Sequence, residues 1–197
     1  MATSQFERSP FLISKQYFIA PPPKLEFFHF GYSETIADSL WLRAIQDLDF
    51  CEAQVKKNEC IGKGWLFQIL DAATTLSPLF KTPYEAGALA LTIVISDYKG
   101  ASRIFDKAVL AFPSDWKILY RASYHALYEE KDKQKAARLS VRAAQSGGPV
   151  WLYSLATRLY TEAGEKELGL RLYQDLKEQG EDPIVLARMR EKLGIRE

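Results

Sequence analysis

The stretch Gly-Ala-Ser-Arg-Ile-Phe-Asp-Lys-Ala-Val-Leu-Ala-Phe-Pro, residues 100–113, decides the fold of this chain. An α-helix advances about 100° per residue, so Ala101, Phe105 and Ala108 fall within one narrow arc. Small side chains flank one ring on that face, which lets a neighbouring helix come close and receive Phe105. Pro113 stops the helix, because proline lacks the backbone donor and clashes with the preceding turn. The register recurs. Leu66, Leu70, Ala73 and Pro78 stand 35 positions earlier, and Ala136, Ser140 and Ala143 stand 35 positions later. Leucine replaces the first small residue in one copy, and Ser140 replaces the ring in the other. Gly169, Tyr173 and Leu176 form a weaker copy further on.

Small, large, small and proline at these intervals resemble the second-helix half of the tetratricopeptide repeat. The resemblance covers about residues 33–193. The Trp-x-x-Leu-Gly-x-x-Tyr half of the pattern is mostly absent, so the first helices are atypical. What the resemblance implies is an all-α fold, an α-solenoid of about four helix pairs plus a C-terminal capping helix. The family winds such pairs into a right-handed superhelix, and the first helix of each pair lines a concave groove. A second resemblance is narrower. Phe30-Gly31-Tyr32, followed by Ala-Asp-Ser-Leu-Trp-Leu-Arg-Ala-Ile-Gln at residues 37–46, is similar to a segment of bacterial repeat proteins that often carry a membrane anchor just ahead of it. That likeness implies a periplasmic or membrane-anchored location, with the cytoplasm as the alternative.

In chain order, residues 1–31 differ from the rest. Phe6, Phe11, Tyr17, Phe18, Phe27, Phe28 and Phe30 crowd a segment without helical period, interrupted by Pro10 and by Pro21-Pro22-Pro23. The triple proline enforces an extended run, and disordered tails are poor in aromatics. The expectation is an extended arm packed against a helical repeat domain at residues 32–197. Ser33 is placed to cap the first helix, with Glu34 in its first turn, and Ile36, Ala37, Leu40, Trp41, Ala44, Ile45 and Leu48 carry the period to about Val55. Trp65 to Leu76 is its partner. Thr82-Pro83-Tyr84-Glu85 predicts a capping box with proline at the first helical position. Asp97–Gly100, Ser114-Asp115 and Asp132 open later helices, and Gly147, Gly164 and Gly180 close them. Asp182-Pro183 starts a last amphipathic helix whose charged face suits the end of a stack.

The composition excludes several classes. A formal net charge of +1 over 197 residues gives no global pull toward nucleic acid or anionic lipid. Lys131, Lys133, Lys135 and Arg138 form a basic run, but Glu129, Glu130 and Asp132 interrupt it, as in a solvated turn. No apolar run is long enough to span a bilayer, and Met1–Pro10 lacks the apolar core of a signal peptide. Cys51 and Cys60, with His29 and His125, have no zinc-ligand spacing. On one uninterrupted helix the two cysteines would lie about 13 Å apart, too far to bridge. A chain reversal between Lys56 and Gly64 would make a disulfide feasible, so buried thiols and one bridge both stand. Phosphate-loop, dinucleotide and metalloprotease motifs are absent from the sequence, and no cofactor, metal or catalysis is expected.

The expected role is protein binding. In the register set by Ala101 and Ala136, the groove-facing positions are Ala86, Ala90 and Ile93, then Arg121, His125 and Tyr128, then Tyr153, Thr157 and Tyr160. This apolar and aromatic lining with one cationic patch suits an extended segment bearing aromatic residues and one carboxylate. For Tyr120 and Tyr124, packing between helices and facing the groove are both open. The arm's own aromatics are of the type such a groove accepts, so the arm is expected to fill the groove or to exchange into a second copy and form a homodimer. The alternative is an assembly or anchoring subunit of an envelope complex, binding through the outer surface of the stack.

Overall fold

A computed structural model describes residues 18–53 and 64–195. Among these residues there are nine α-helices and no strand. They are α1 (Ser33–Ala53), α2 (Trp65–Leu76), α3 (Ala88–Ile93), α4 (Tyr98–Ala111), α5 (Trp116–Tyr128), α6 (Lys133–Gln145), α7 (Trp151–Glu162), α8 (Lys166–Glu178) and α9 (Pro183–Leu193). Helix α1 packs on α2, and from α3 onward each helix packs on the next; α2 also touches α4, and α7 touches α9. Short connections force consecutive helices to lie beside each other.

Aspartate starts four of these nine helices. The carboxylate of Asp97 accepts from Gly100 N at 2.9 Å, Asp115 from Lys117 N and Ile118 N at 3.0 and 3.3 Å, Asp132 from Lys135 N at 2.8 Å, and Asp182 from Ile184 N at 2.7 Å. Each cap satisfies otherwise unpaired first-turn donors and contributes about 1 kcal/mol. Glycine ends a helix where the chain must enter the left-handed region, as at Gly164 with φ 81°.

The arc read from residues 100–113 is buried as its spacing requires: Ala101, Phe105 and Ala108, joined by Ile104, lie in the core. A second cluster gathers Ala126, Ala136, Ala137, Leu159 and Tyr160. Ser140, in the place of the ring, lies 2.8 Å from Ser123 Oγ, and Ser123 donates to Ala136 O at 2.8 Å. A hydroxyl has one proton, so Ser140 is the donor to Ser123. Two serines face to face keep α5 and α6 close without leaving a buried polar atom unpaired.

Two expectations change. Thr82 does not cap a helix: its φ and ψ are −58° and −44°, helical already, and its side chain makes no capping bond. Glu85, read as the return half of a capping box, instead meets Arg121 Nη1 at 3.0 Å and Lys81 Nζ at 3.7 Å. The backbone bulges into a π-helical turn at Pro83–Gly87 ahead of α3. Gly87 lies so close to α2 that an added Cβ would sit 2.5 Å from Leu70 Cδ2. The first helix, expected to reach about Val55, is described to Ala53, and residues 54–63 with Cys60 lie outside the described residues. Cys51 is buried and is not a free thiol.

Ahead of α1 the described chain runs along α1 and α2. Phe18 places its ring 5.1 Å from that of Trp65 and donates its backbone N–H to Asp47 Oδ2 at 3.2 Å. Arg43 donates to Ile19 O and stands 3.7 Å from the same Asp47 carboxylate, which is buried. A buried carboxylate thus keeps its hydrogen-bond partners. Phe6, Phe11 and Tyr17 lie outside the described residues.

Replacing Phe105 by alanine is expected to lower stability by about 3–5 kcal/mol in denaturant melts, because it empties the centre of the α4 face. Leu110→Ala on the exposed side of the same helix is expected to change it by less than about 0.5 kcal/mol.

Candidate functional site

Helix α5 reads Trp-Lys-Ile-Leu-Tyr-Arg-Ala-Ser-Tyr-His-Ala-Leu-Tyr at residues 116–128. Ile118, Leu119, Ala122 and Ala126 occupy its buried side, which leaves Tyr120, Tyr124 and Tyr128 in a row at four-residue steps on another side. Tyr124 and Tyr128 are exposed, and their rings lie 4.4 Å apart with a 40° tilt. Tyr120 is half-buried and meets Trp151, the first residue of α7, edge-on at 5.4 Å and 88°. The result is an aromatic band from α7 along the length of α5, with Arg121 beside it.

A charge network ties this helix to the π-helical turn. Arg121 pairs with Glu85, and Lys81 reaches Asp115 at 2.6 Å as well as Glu85. Partial burial pushes the Asp115 carboxyl upward, but the Lys81 ammonium and two backbone N–H groups outweigh it, so the group titrates below the ordinary carboxylate value. Asp115 therefore remains an anion, bonded on both oxygens.

The expected groove residues separate into two sets. Ala86, Ile93 and Tyr128 are exposed, while Ala90 and Arg121 are half-buried. Tyr153, Thr157 and Tyr160 are buried, with Thr157 against Gly169 of α8 and Tyr160 in the second core cluster. These three sit on the packed side of α7 because a weak repeat leaves its phase poorly determined by spacing alone. Trp151, Tyr124 and Tyr128 carry the exposed aromatic surface there instead, with Tyr120 half-buried between the helices; the four-residue tyrosine step was the available signal.

His125 is a further departure. It was expected beside Arg121 and Tyr128 on the surface, yet it is 3% exposed. Its ring lies 5.1 Å from that of Phe105, and its Nε2 and Nδ1 lie 3.0 Å from Ser102 Oγ and 3.4 Å from Thr92 Oγ1. Both hydroxyls are also within donating distance of backbone carbonyls, Ser102 to Tyr98 O at 2.9 Å and Thr92 to Ala88 O at 3.1 Å. A neutral imidazole has one N–H, so one hydroxyl must turn toward the ring while the other keeps its carbonyl. The Glu130 carboxylate stands 4.0 Å from Nε2, on the nitrogen that also faces Ser102. A serine–histidine–acid relay needs the acid on the opposite nitrogen. This group fastens α3, α4 and α5 together.

Among the described residues no cluster of three or more His, Cys, Asp or Glu is arranged to hold a metal ion. No helix among them is long and apolar enough to cross a membrane. His29 stands in the segment before α1, where its Nδ1 accepts from Gly31 N at 3.3 Å. No family model, curated protein or solved structure matches the chain.

Burial lowers the affinity of His125 for a proton, with Glu130 acting in the other direction, and the net shift is below the ordinary value of 6.5. The unfolded chain therefore takes up a proton that the folded chain refuses. Stability is fully present above the ordinary value and is lost as pH falls through the window beneath it. Thermal melts between pH 7.5 and 5 should show a falling midpoint. In His125→Gln that slope should flatten; an unchanged slope would assign the acid loss to other groups.

Proposed function

We propose that the chain is a non-catalytic protein-interaction scaffold, a stack of tetratricopeptide-like helix pairs that takes an extended partner segment against the aromatic band of α5 and α7. The observation that carries this reading is the exposed Tyr124–Tyr128 pair, continued through Tyr120 to Trp151. Tyrosine and tryptophan offer a large rigid contact area at low entropic cost, with a polar tip to orient a peptide backbone. Arg121, already paired with Glu85 and partly exposed, is a cation that a carboxylate on the bound segment would share with Glu85. The serine and histidine of the α3–α4–α5 cluster are turned inward, which supports a structural role for them over chemistry.

The recurrence of alanine-lined contacts about every 35 residues, at Ala101, Ala136 and their neighbours, supports the solenoid reading of the helix order. The described part of the N-terminal arm engages α1 and α2 through Phe18 and Ile19, so a partner from outside is favoured as occupant of the α5 band. A second reading, an assembly or anchoring subunit that binds through the outer surface, is favoured by Leu79 and Leu110, both strongly exposed.

Selection of a displayed random peptide library on the full chain tests the first reading. The expected outcome is enrichment of extended sequences with aromatic residues and one carboxylate. Their affinity should fall about tenfold or more in Tyr124→Ala/Tyr128→Ala, as for anchor residues of a binding site. Peptides that bind this double variant as well as the parent would remove the α5 band as the site.

A further inference from the structure

Just before α1, a six-residue segment turns four aromatic side chains toward solvent. Phe27, Phe28, Phe30 and Tyr32 are 72%, 63%, 84% and 67% exposed. Taking roughly 200 Å² for a fully exposed aromatic residue, they show about 550–600 Å² of surface. That lies at the top of the range of about 300–600 Å² for the largest apolar patch on a monomer.

The backbone holds the rings out. Lys24, Phe30 and Gly31 have φ of 63°, 48° and 83°, left-handed values that lysine and phenylalanine rarely adopt. Leu25–Phe27 forms one 3₁₀ turn closed by Phe27 N to Lys24 O at 3.0 Å and Phe28 N to Leu25 O at 3.1 Å. Tyr32 N donates to His29 O at 2.7 Å. Leu25 is the side chain of this turn that packs against the core. Among the described residues Phe27, Phe28 and Phe30 do not pack against the core, and three exposed phenylalanines on a tied-down segment are costly in water.

We propose that this aromatic segment is a two-fold interface with a second copy of the chain. The area supports it: a stable dimer covers about 800 Å² on each partner, and the four rings with their polar rim approach that size. The charges support it too. Lys24 and Glu26 are opposite in sign and two residues apart, so an antiparallel two-fold apposition of the segment can set the lysine of each copy beside the glutamate of the other. The same balanced pair offers no attraction to an anionic lipid surface. Like rings meeting across the axis pack edge-to-face or offset, the arrangement aromatic pairs prefer. This interface is separate from the α5 band and does not depend on it.

Sedimentation equilibrium of the full chain, from about 1 to about 100 μM, tests the proposal. The expected result is a mass rising from monomer to dimer. Phe27→Ser/Phe28→Ser/Phe30→Ser should weaken association about tenfold or more while leaving helical content unchanged, since the rings are exposed. Tyr124→Ala/Tyr128→Ala should dimerise like the parent, which separates this test from that of the peptide site. A parent chain that stays monomeric throughout, or a triple variant that dimerises as well as the parent, would overturn the proposal. So would a monomeric parent that floats with phosphatidylcholine vesicles, or one that dimerises only after removal of residues 1–17; those results would give the patch to lipid or to the chain's own N-terminal segment.

Discussion

Close approach of neighbouring helices through alanine is the constraint on which the rest of this structure depends. Ala101, Ala108, Ala126, Ala136, Ala143 and Ala156 are all buried. Packed helices stand about 8–10 Å apart according to the side chains at the contact, and alanine favours the short end. Layers this thin give each large side chain, such as Phe105 or Leu119, one place to fit. Where α2 meets the π-helical turn, Gly87 faces the Leu70 side chain, which would have to move to admit a Cβ. The Arg121–Glu85 pair joins this turn to α5.

Thin layers also decide what happens to polar groups inside. Asp47, Ser123, His125, Ser140 and Thr157 are buried, and each has a partner within a turn or on the adjacent helix. An unpaired group at such depth would cost about 1–3 kcal/mol, so these contacts fix the pairing of helices as firmly as they stabilise it. His125 illustrates the point. Its residue type invites a chemical role, but its position between Thr92, Ser102 and Phe105 makes it a three-helix rivet whose proton affinity is lowered by burial.

Surface left over from thin packing carries the rings that the core does not take. A chain that buries alanine on its contacts and still carries many rings has to show some of them to solvent. Among the described residues most of these exposed rings lie along α5 and at the start of α7, where tyrosines at four-residue steps stand clear of the core, and in the tied-down segment before α1. The two differ in setting. The first is flanked by the Lys81–Glu85–Asp115–Arg121 network of paired charges, whereas the second carries Lys24 and Glu26 on a stiff backbone, features that suit a copy of itself.

What residue spacing determined by itself is the all-helical order and most of its boundaries. Small–large–small arcs, aspartates ahead of apolar periods and glycines behind them act within a turn or two, and their physics is local. Ala101, Phe105 and Ala108 were legible as core for that reason. Tertiary structure alone decided the phase of each helix about its own axis. Tyr153, Thr157 and Tyr160 share a face with period 3.6, but which neighbour covers that face depends on α8 and α9, residues far along the chain. Thr82 and Glu85 likewise carry a capping signature, yet Thr82 lies inside helical backbone and Glu85 pairs with an arginine 36 positions away. His125 is hidden because Ser102 and Thr92, 23 and 33 positions away, close over it. Spacing fixes where a helix runs; only its neighbours determine which side of it meets solvent.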